Sequence, residues 1–212
     1  MFKGILFDID GTLASTNELI FSSFNYITKK YMNKTLTNEE VIALFGPTED
    51  QILQEWFPDK YEEVKKDYYE FYRKNHTNAK IYPGLKGLLD FLKSKNIILG
   101  IYTGKGRTAA VITLEEIKAK NYFEMIITGN DLVKRKSSGE GLLLFMEKFH
   151  LSNDEILMIG DSPADVKAAR AVNVKIASVL WDSYSKDLVL TLGSDYYFHS
   201  VDELRKFILE NI

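Results

Sequence analysis

Phe7-Asp8-Ile9-Asp10-Gly11-Thr12 is the stretch that decides the reading of this chain. It follows Ile5-Leu6, and the short apolar run ending in glycine reads as a buried strand. Side chains alternate along a strand, so Asp8 and Asp10 face one side and Ile9 the other. Two carboxylates at one strand end repel each other and lose hydration unless a cation or a proton lies between them. Gly11 frees the backbone to turn sharply and to approach a ligand closely. The pattern points to a metal and to chemistry rather than to a core.

Outward from that strand, the chain divides into two patterns. Asn17 to Met32 carries Leu19, Ile20, Phe24, Ile27 and Tyr31 at helical spacing. Thr37-x-x-Glu40 and Thr48-x-x-Gln51 are capping boxes, each predicting a helix start, with Gly46-Pro47 breaking the chain between them. A charged, aromatic helix is expected from Pro58 to about His76, and Tyr68, Tyr69, Phe71 and Tyr72 read as its packing face. From Asn17 to about Ala79 everything is helical. Beyond Pro83-Gly84, strands and helices alternate: expected strands at 97–102, 125–128, 155–159, 174–179 and 196–198, with helices at 85–95, 108–119, 140–149 and 164–171 and a last one opening at the box Ser200-x-x-Glu203. Continuous apolar strands alternating with helices predict an α/β fold, a Rossmann-like parallel sheet covered by helices on both faces. The first strand belongs to that sheet, so the helical block is an all-helical cap inserted after it. The expected division is a core of 1–14 and 82–212 and a cap of 15–81.

Composition narrows the classes. The 212 residues are 45% hydrophobic, enough for a sizeable core, and the formal net charge of -3 implies no general attraction to nucleic acid or to an anionic membrane. There is no cysteine, which excludes disulfides, thiolate nucleophiles and zinc–sulfur sites and fits a reducing cytoplasm. No signal peptide or membrane span is expected. His76, His150 and His199 belong to no motif and read as surface residues.

In an open parallel sheet, ligands bind beyond the carboxyl ends of the strands. Three expected strands end there in polar chemistry: Asp8 and Asp10, then Thr103-Gly104-Lys105, then Gly160-Asp161-Ser162-x-x-Asp165, with Lys134-Arg135-Lys136 between the last two. Acids suit a divalent cation, while a hydroxyl, free N–H groups and a lysine suit phosphate oxygens. Each piece has a plainer reading on its own. Asp161 and Asp165 could cap the helix near Pro163, and Lys105 and Arg107 could be solvated surface charges.

Asp-x-Asp-Gly-Thr at 8–12, the Thr103 strand end, a lysine at 134–136 and Gly-Asp-Ser-x-x-Asp at 160–165 together resemble, in the same order, the four motifs of the haloacid dehalogenase superfamily. The helical block sits where that family carries a C1 cap, and the chain is most similar to the phosphoglycolate phosphatase-like branch. The resemblance implies a phosphatase using Mg²⁺ on a small phosphorylated metabolite such as phosphoglycolate, pyrophosphate or a sugar phosphate. It implies Asp8 as nucleophile, Asp10 as general acid and base, and Thr103, Gly104 and Lys136 on the phosphoryl oxygens. Asp8, Asp10 (through its carbonyl) and Asp161 would hold the metal, with Asp165 beside it directly or through water. Dehalogenases of the superfamily lack the second acid, Asp10. The chain departs from the family pattern where Ser137-Ser138-Gly139 replaces the prolines after the lysine; Lys136 is the better match and Lys134 its competitor. It also departs where Ser15-Thr16 replaces an Asp-Ser or Asn-Ser pair. Thr16, Gly46, Thr48, Lys105 and Arg107 are the candidate substrate contacts, and Phe45-Gly46-Pro47-Thr48 is the cap segment expected to meet substrate, because Gly-Pro precedes a capped helix whose N-terminus favours anions. Two other readings stand beside hydrolysis: a phosphosugar mutase, which in this branch usually carries a histidine absent from 17–32, and a non-catalytic phosphate-binding module. A monomer or a homodimer is expected.

Overall fold

The computed structural model describes residues 1–212 apart from the side chain of Asn78, so the second linker begins at a residue whose side chain lies outside the described residues. Six parallel strands form one sheet: β1 Gly4–Phe7, β2 Ile98–Tyr102, β3 Met125–Ile127, β4 Ile156–Gly160, β5 Lys175–Val179 and β6 Tyr196–Phe198. Their order across the sheet is β3-β2-β1-β4-β5-β6. The chain thus winds outward in both directions from β1, and the strand order reverses beside it, which is where such sheets open a crevice for ligands. Phe7 is level with Ile101 of β2 and Ile159 of β4, so residues just past all three meet at one place.

Every residue of β1 is buried, because helices cover both faces of the sheet. Alternate strand residues serve alternate faces. Ile5, Phe7, Leu99, Ile101, Leu157 and Ile159 pack against α5 (Leu85–Ser94), α6 (Arg107–Glu116) and α10 (Val201–Asn211). Leu6, Tyr102, Met158 and Ile176 pack on the other face against α7 (Glu140–Phe149) and α8 (Pro163–Ala171). A helix α9 at Lys186–Leu192 also lies on that side, through the buried Val189, and the sequence reading passed over it.

The inserted cap consists of α1 (Asn17–Met32), α2 (Asn38–Ile42), α3 (Glu49–Trp56) and α4 (Tyr61–Lys74). Thr37 and Thr48 form the two capping boxes with Glu40 and Gln51, so the local signals for α2 and α3 were sufficient. Tyr68 and Tyr72 are fully buried among Phe24, Ile27, Leu53 and Val64, and the Phe71 ring stacks on Tyr26 at 4.4 Å. The cap's apolar cluster also takes in Ala109 and Ile112 of α6, so cap and sheet layer share one buried seam. Two strands of chain connect them side by side: Ala14 bridges Ile81 in antiparallel fashion, the Ser15 N–H donates to Lys80 O and the Tyr82 N–H to Leu13 O. His76 is buried at this seam with its Nε2 3.1 Å from Thr113 Oγ1, which corrects the expectation of a surface histidine; burial pulls its pKa down and keeps it neutral. His150 and His199 are exposed as expected.

Gly100, in the middle of β2, has Phe145 against its α-carbon: a Cβ there would lie 2.6 Å from the ring. The ring is fully buried and cannot swing away. Gly100→Ala is therefore expected to lower stability by about 1–3 kcal/mol, read as a reduced midpoint in urea with an unchanged slope.

Candidate active site

Asp8 follows β1 directly. Its N–H donates to Ile159 O, continuing the ladder with β4, and its Oδ1 accepts from the Ile9 N–H at 2.8 Å. These two bonds fix the carboxylate at the strand end with Oδ2 2.9 Å from Lys136 Nζ. Burial pushes the Asp8 carboxyl up to about 6; Lys136 opposes that rise, and Asp165 and Asp10 add to it. Two residues past the level of Phe7 on the neighbouring strands stand Thr103, after β2, and Asp161, after β4, both buried.

Asp161 Oδ1 accepts from Thr12 Oγ1 at 3.1 Å, and its carbonyl accepts from Ser183 Oγ at 2.6 Å. Gly11 has φ +72° and would place a Cβ 2.4 Å from Asp161 Oδ2, so both the turn and the space require glycine there. Asp165 has no exposed surface. Its Oδ2 accepts from the Ser162 N–H and Oγ, closing the box that starts α8, and its Oδ1 is 2.5 Å from Lys136 Nζ. Helix capping and site building are thus one arrangement at this residue, not rival readings.

Asp8, Asp161 and Asp165 each present a carboxylate oxygen, all within 4.8 Å of one another. Burial, with Asp8 and Asp165 alongside, pushes the Asp161 carboxyl well above the usual carboxylate range. Lys136 is buried too, yet Asp165 and Asp8 outweigh that and raise its pKa, so it stays charged. One lysine does not offset three buried acids. An all-oxygen, acid-rich donor set of this kind fits a hard divalent cation.

Asp10 turns away from this cluster toward the cap. Its Oδ1 accepts from Thr16 Oγ1, and Lys105 Nζ lies 3.0 and 3.1 Å from its two oxygens. Lys105 is itself buried, 3.5 Å from Glu49 Oε1, while Glu49 Oε2 accepts from the Gly106 N–H at 2.6 Å. Burial opposes the Lys105 charge, but Asp10, Tyr72 and Glu49 raise its pKa well above the ordinary value. Glu49 stands in the first turn of α3, so a cap residue reaches the core loop across the cleft.

The sequence-derived candidates thus fall into two groups. Asp8, Asp10, Thr103, Gly104, Lys105, Lys136, Asp161 and Gly46 line one cavity of about 460 Å³ between cap and sheet. Lys136, not Lys134, has its ammonium in the acid cluster; Lys134 is exposed, with its N–H on Glu140. Thr16 reaches the site through Asp10. Lys105 lines the cavity but spends its charge on Asp10 and Glu49. Thr48 and Arg107 lie elsewhere: Thr48 caps α3 and packs against Gly129, and Arg107 pairs with Asp131 and donates to Ile126 O at 3.0 Å. Glu49 escaped the sequence reading because its partner is 57 residues away; the only local sign was an acid in a helix's first turn.

A doubly wound sheet with an acid cluster at its reversal point and a helical cap closing over it defines a capped α/β protein with a polar cleft at the carboxyl ends of its strands. The haloacid dehalogenase-like hydrolase family model matches residues 5–179. A protein of Caldanaerobacter subterraneus is 33% identical over 205 residues, covering 96% of this chain and 93% of its own length. The pyrophosphatase PpaX of Oceanobacillus iheyensis is 31% identical, with 95% and 94% covered. Among solved structures, a predicted phosphoglycolate phosphatase from Haemophilus somnus superposes with a TM-score of 0.86 at 24% identity, covering 98% of both chains. The chain belongs to the haloacid dehalogenase-like hydrolases. Within that family it is an enzyme of the phosphatase kind.

Asp161→Asn removes one of three crowded charges while keeping an acceptor for Thr12. The metal-free variant is expected to be more stable than the parent by about 1–3 kcal/mol, and to show less of the rise in Tm expected of the parent when a divalent cation is added. Thermal unfolding with Mg²⁺ and with EDTA checks both; a less stable metal-free variant would contradict the crowding.

Proposed function

We propose that this protein is a Mg²⁺-dependent phosphatase that hydrolyses a small phosphorylated metabolite through an aspartyl-phosphate on Asp8. The observation that carries the reading is a carboxylate, Asp8, facing the cleft beside a lysine and two further acids, with a second carboxylate, Asp10, two residues on. Residues 1–14 and 82–212 serve as the catalytic core and 15–81 as the cap, hinged at the paired linkers.

The substrate phosphoryl group sits against the Thr103 hydroxyl, the backbone beyond it at Gly104, and the Lys136 ammonium. These are donors fixed before the substrate arrives, so they stabilise developing charge with little reorganisation. An ionised Asp8 oxygen attacks phosphorus, and the bond from phosphorus to the leaving oxygen breaks. Asp10, protonated, gives its proton to that oxygen. It then takes a proton from a water that attacks the phosphorus of the acylphosphate, releasing Asp8 and inorganic phosphate. Dividing the displacement in two lets an already ionised carboxylate make the first attack and leaves water an acylphosphate, whose carboxylate departs readily. Asp8, the Asp10 carbonyl and Asp161, with Asp165 beside them, would hold Mg²⁺, which would supply positive charge to offset the repulsion between carboxylate and phosphoryl group. Lys105 and Thr16 hold the Asp10 side chain in place, and Glu49 ties α3 to that pair, which keeps the cleft closed over the reacting groups.

With p-nitrophenyl phosphate and Mg²⁺ the protein is expected to turn over, and Asp8→Asn or EDTA to bring the rate to background. Asp10→Asn separates the two half-reactions, because p-nitrophenolate leaves without a proton. It is expected to release one equivalent of p-nitrophenolate in a burst and then run about 10²–10⁴-fold slower than the parent. Turnover that survives Asp8→Asn would overturn the reading.

A further inference from the structure

The cavity has two unlike walls. Its floor is the acid and lysine cluster. Its roof, supplied by the cap, is Ile20 and Phe24 of α1, Ile42 at the end of α2, Leu44 and Phe45 in the turn that follows, and Ile52 of α3. Among the described residues, only two polar side chains from the cap line the same space, Asn17 and Glu49. Both oxygens of Glu49 are already committed, one to Lys105 and one to the Gly106 N–H. Asn17 is buried and follows Thr16 in the chain. Phe45 is 47% exposed and joins none of the buried clusters, although it is a large aromatic side chain facing a cavity. A half-exposed phenyl ring over an active-site floor has no packing reason to be there.

We propose that the cap selects phosphomonoesters whose organic body is apolar, an unbranched alkyl or aryl group lying under Phe45, Leu44 and Ile52 while the phosphoryl group meets Asp8. The inference rests on the phosphatase reading above and deepens it. A sugar body would bring several hydroxyls under a roof whose side chains are mostly hydrocarbon, where few of them find a partner. The free cations at the cavity, Arg135 and Lys167, are both exposed and, among the described residues, neither is in an ion pair. Arg135 borders the roof turn, its Nη1 3.6 Å from where a Cβ on Gly46 would stand, so the pyrophosphate arm of the test weighs that cation against the hydrocarbon. An apolar body gains affinity with each methylene taken from water, about fourfold apiece.

The test compares kcat/KM, with Mg²⁺, for methyl, butyl and hexyl phosphate, phosphoglycolate and pyrophosphate, with p-nitrophenyl phosphate as the control for phosphatase activity. The alkyl esters share one leaving-group chemistry, so a trend among them reports the roof. The expected result is a rise of about fourfold per methylene until the cavity is filled, with hexyl phosphate preferred to pyrophosphate and to phosphoglycolate. Phe45→Ser is expected to flatten that rise; because the ring is half in solvent, the variant should fold. Calorimetric binding of hexylphosphonate and methylenediphosphonate gives the same comparison without turnover, the first expected to bind more tightly. A flat alkyl series, a slope unchanged by Phe45→Ser, or preference for pyrophosphate or methylenediphosphonate would overturn the inference while leaving the phosphatase intact. Failure on every ester, p-nitrophenyl phosphate included, would instead remove the phosphatase reading on which it rests.

Discussion

Three carboxylates share a buried space within 4.8 Å of one another, and the chain supplies one lysine to answer them. Like charges out of water are among the most costly things a fold can assemble. The surrounding structure is arranged to hold them regardless. β1 lies between β2 and β4 in register, so residues just beyond three separate strands converge. Gly11 leaves room for the Asp161 carboxylate, and Gly160 leaves room for Asp165, where a Cβ would fall 2.2 Å from its carboxyl carbon. Tyr102 donates its hydroxyl to Lys136 O at 2.5 Å and so anchors the loop that carries the lysine. The excess negative charge is the reason the site suits a cation and, in the phosphatase reading, the reason a phosphate can be brought beside a carboxylate at all.

The second carboxylate lives in a different environment two residues away. Asp10 is held by a hydroxyl from the cap linker and by the Lys105 ammonium, and Lys105 is shared with a glutamate from α3. The acid cluster and the cap are therefore coupled through one ion-paired chain, Asp10 to Lys105 to Glu49. Burial raises the carboxyl of Glu49, but the Lys105 charge and the Gly106 N–H work against that rise and favour its ionised form. Two carboxylates on one strand end are thus given separate surroundings, as the acid–base and nucleophilic roles proposed for them would require.

The sheet and the acid cluster were legible because both are written locally. Apolar runs at 5–7, 98–102 and 156–159 give buried strands, and Asp8, Asp10, Thr103 and Asp161 follow their strands by one to three positions, so finding the strand end finds the residue. The capping boxes at Thr37 and Thr48 marked cap helices to the residue. What the sequence hid was long-range. Nothing near Glu49 announces Lys105, and Lys105 looks like a loop cation until Asp10 and Glu49 surround it. His76 is polar by composition but buried by the packing of α4 against α6. Arg107 and Thr48 carry the right chemistry for a substrate contact, yet nearer partners, Asp131 and the first turn of α3, hold them. α9 is short, and only Val189 on it is buried, so its apolar signal was too brief to stand out.

The central claim is that the carboxylate of residue 8 carries the phosphoryl group. Acid-quenching the enzyme during turnover of p-nitrophenyl phosphate, digesting it and mapping the peptides by mass tests this most directly. The account predicts one added phosphoryl group on the peptide containing Asp8, sensitive to hydroxylamine as an acylphosphate is. A phosphoryl group on another residue, or turnover with no covalent species even when Asp10→Asn slows its breakdown, would contradict it.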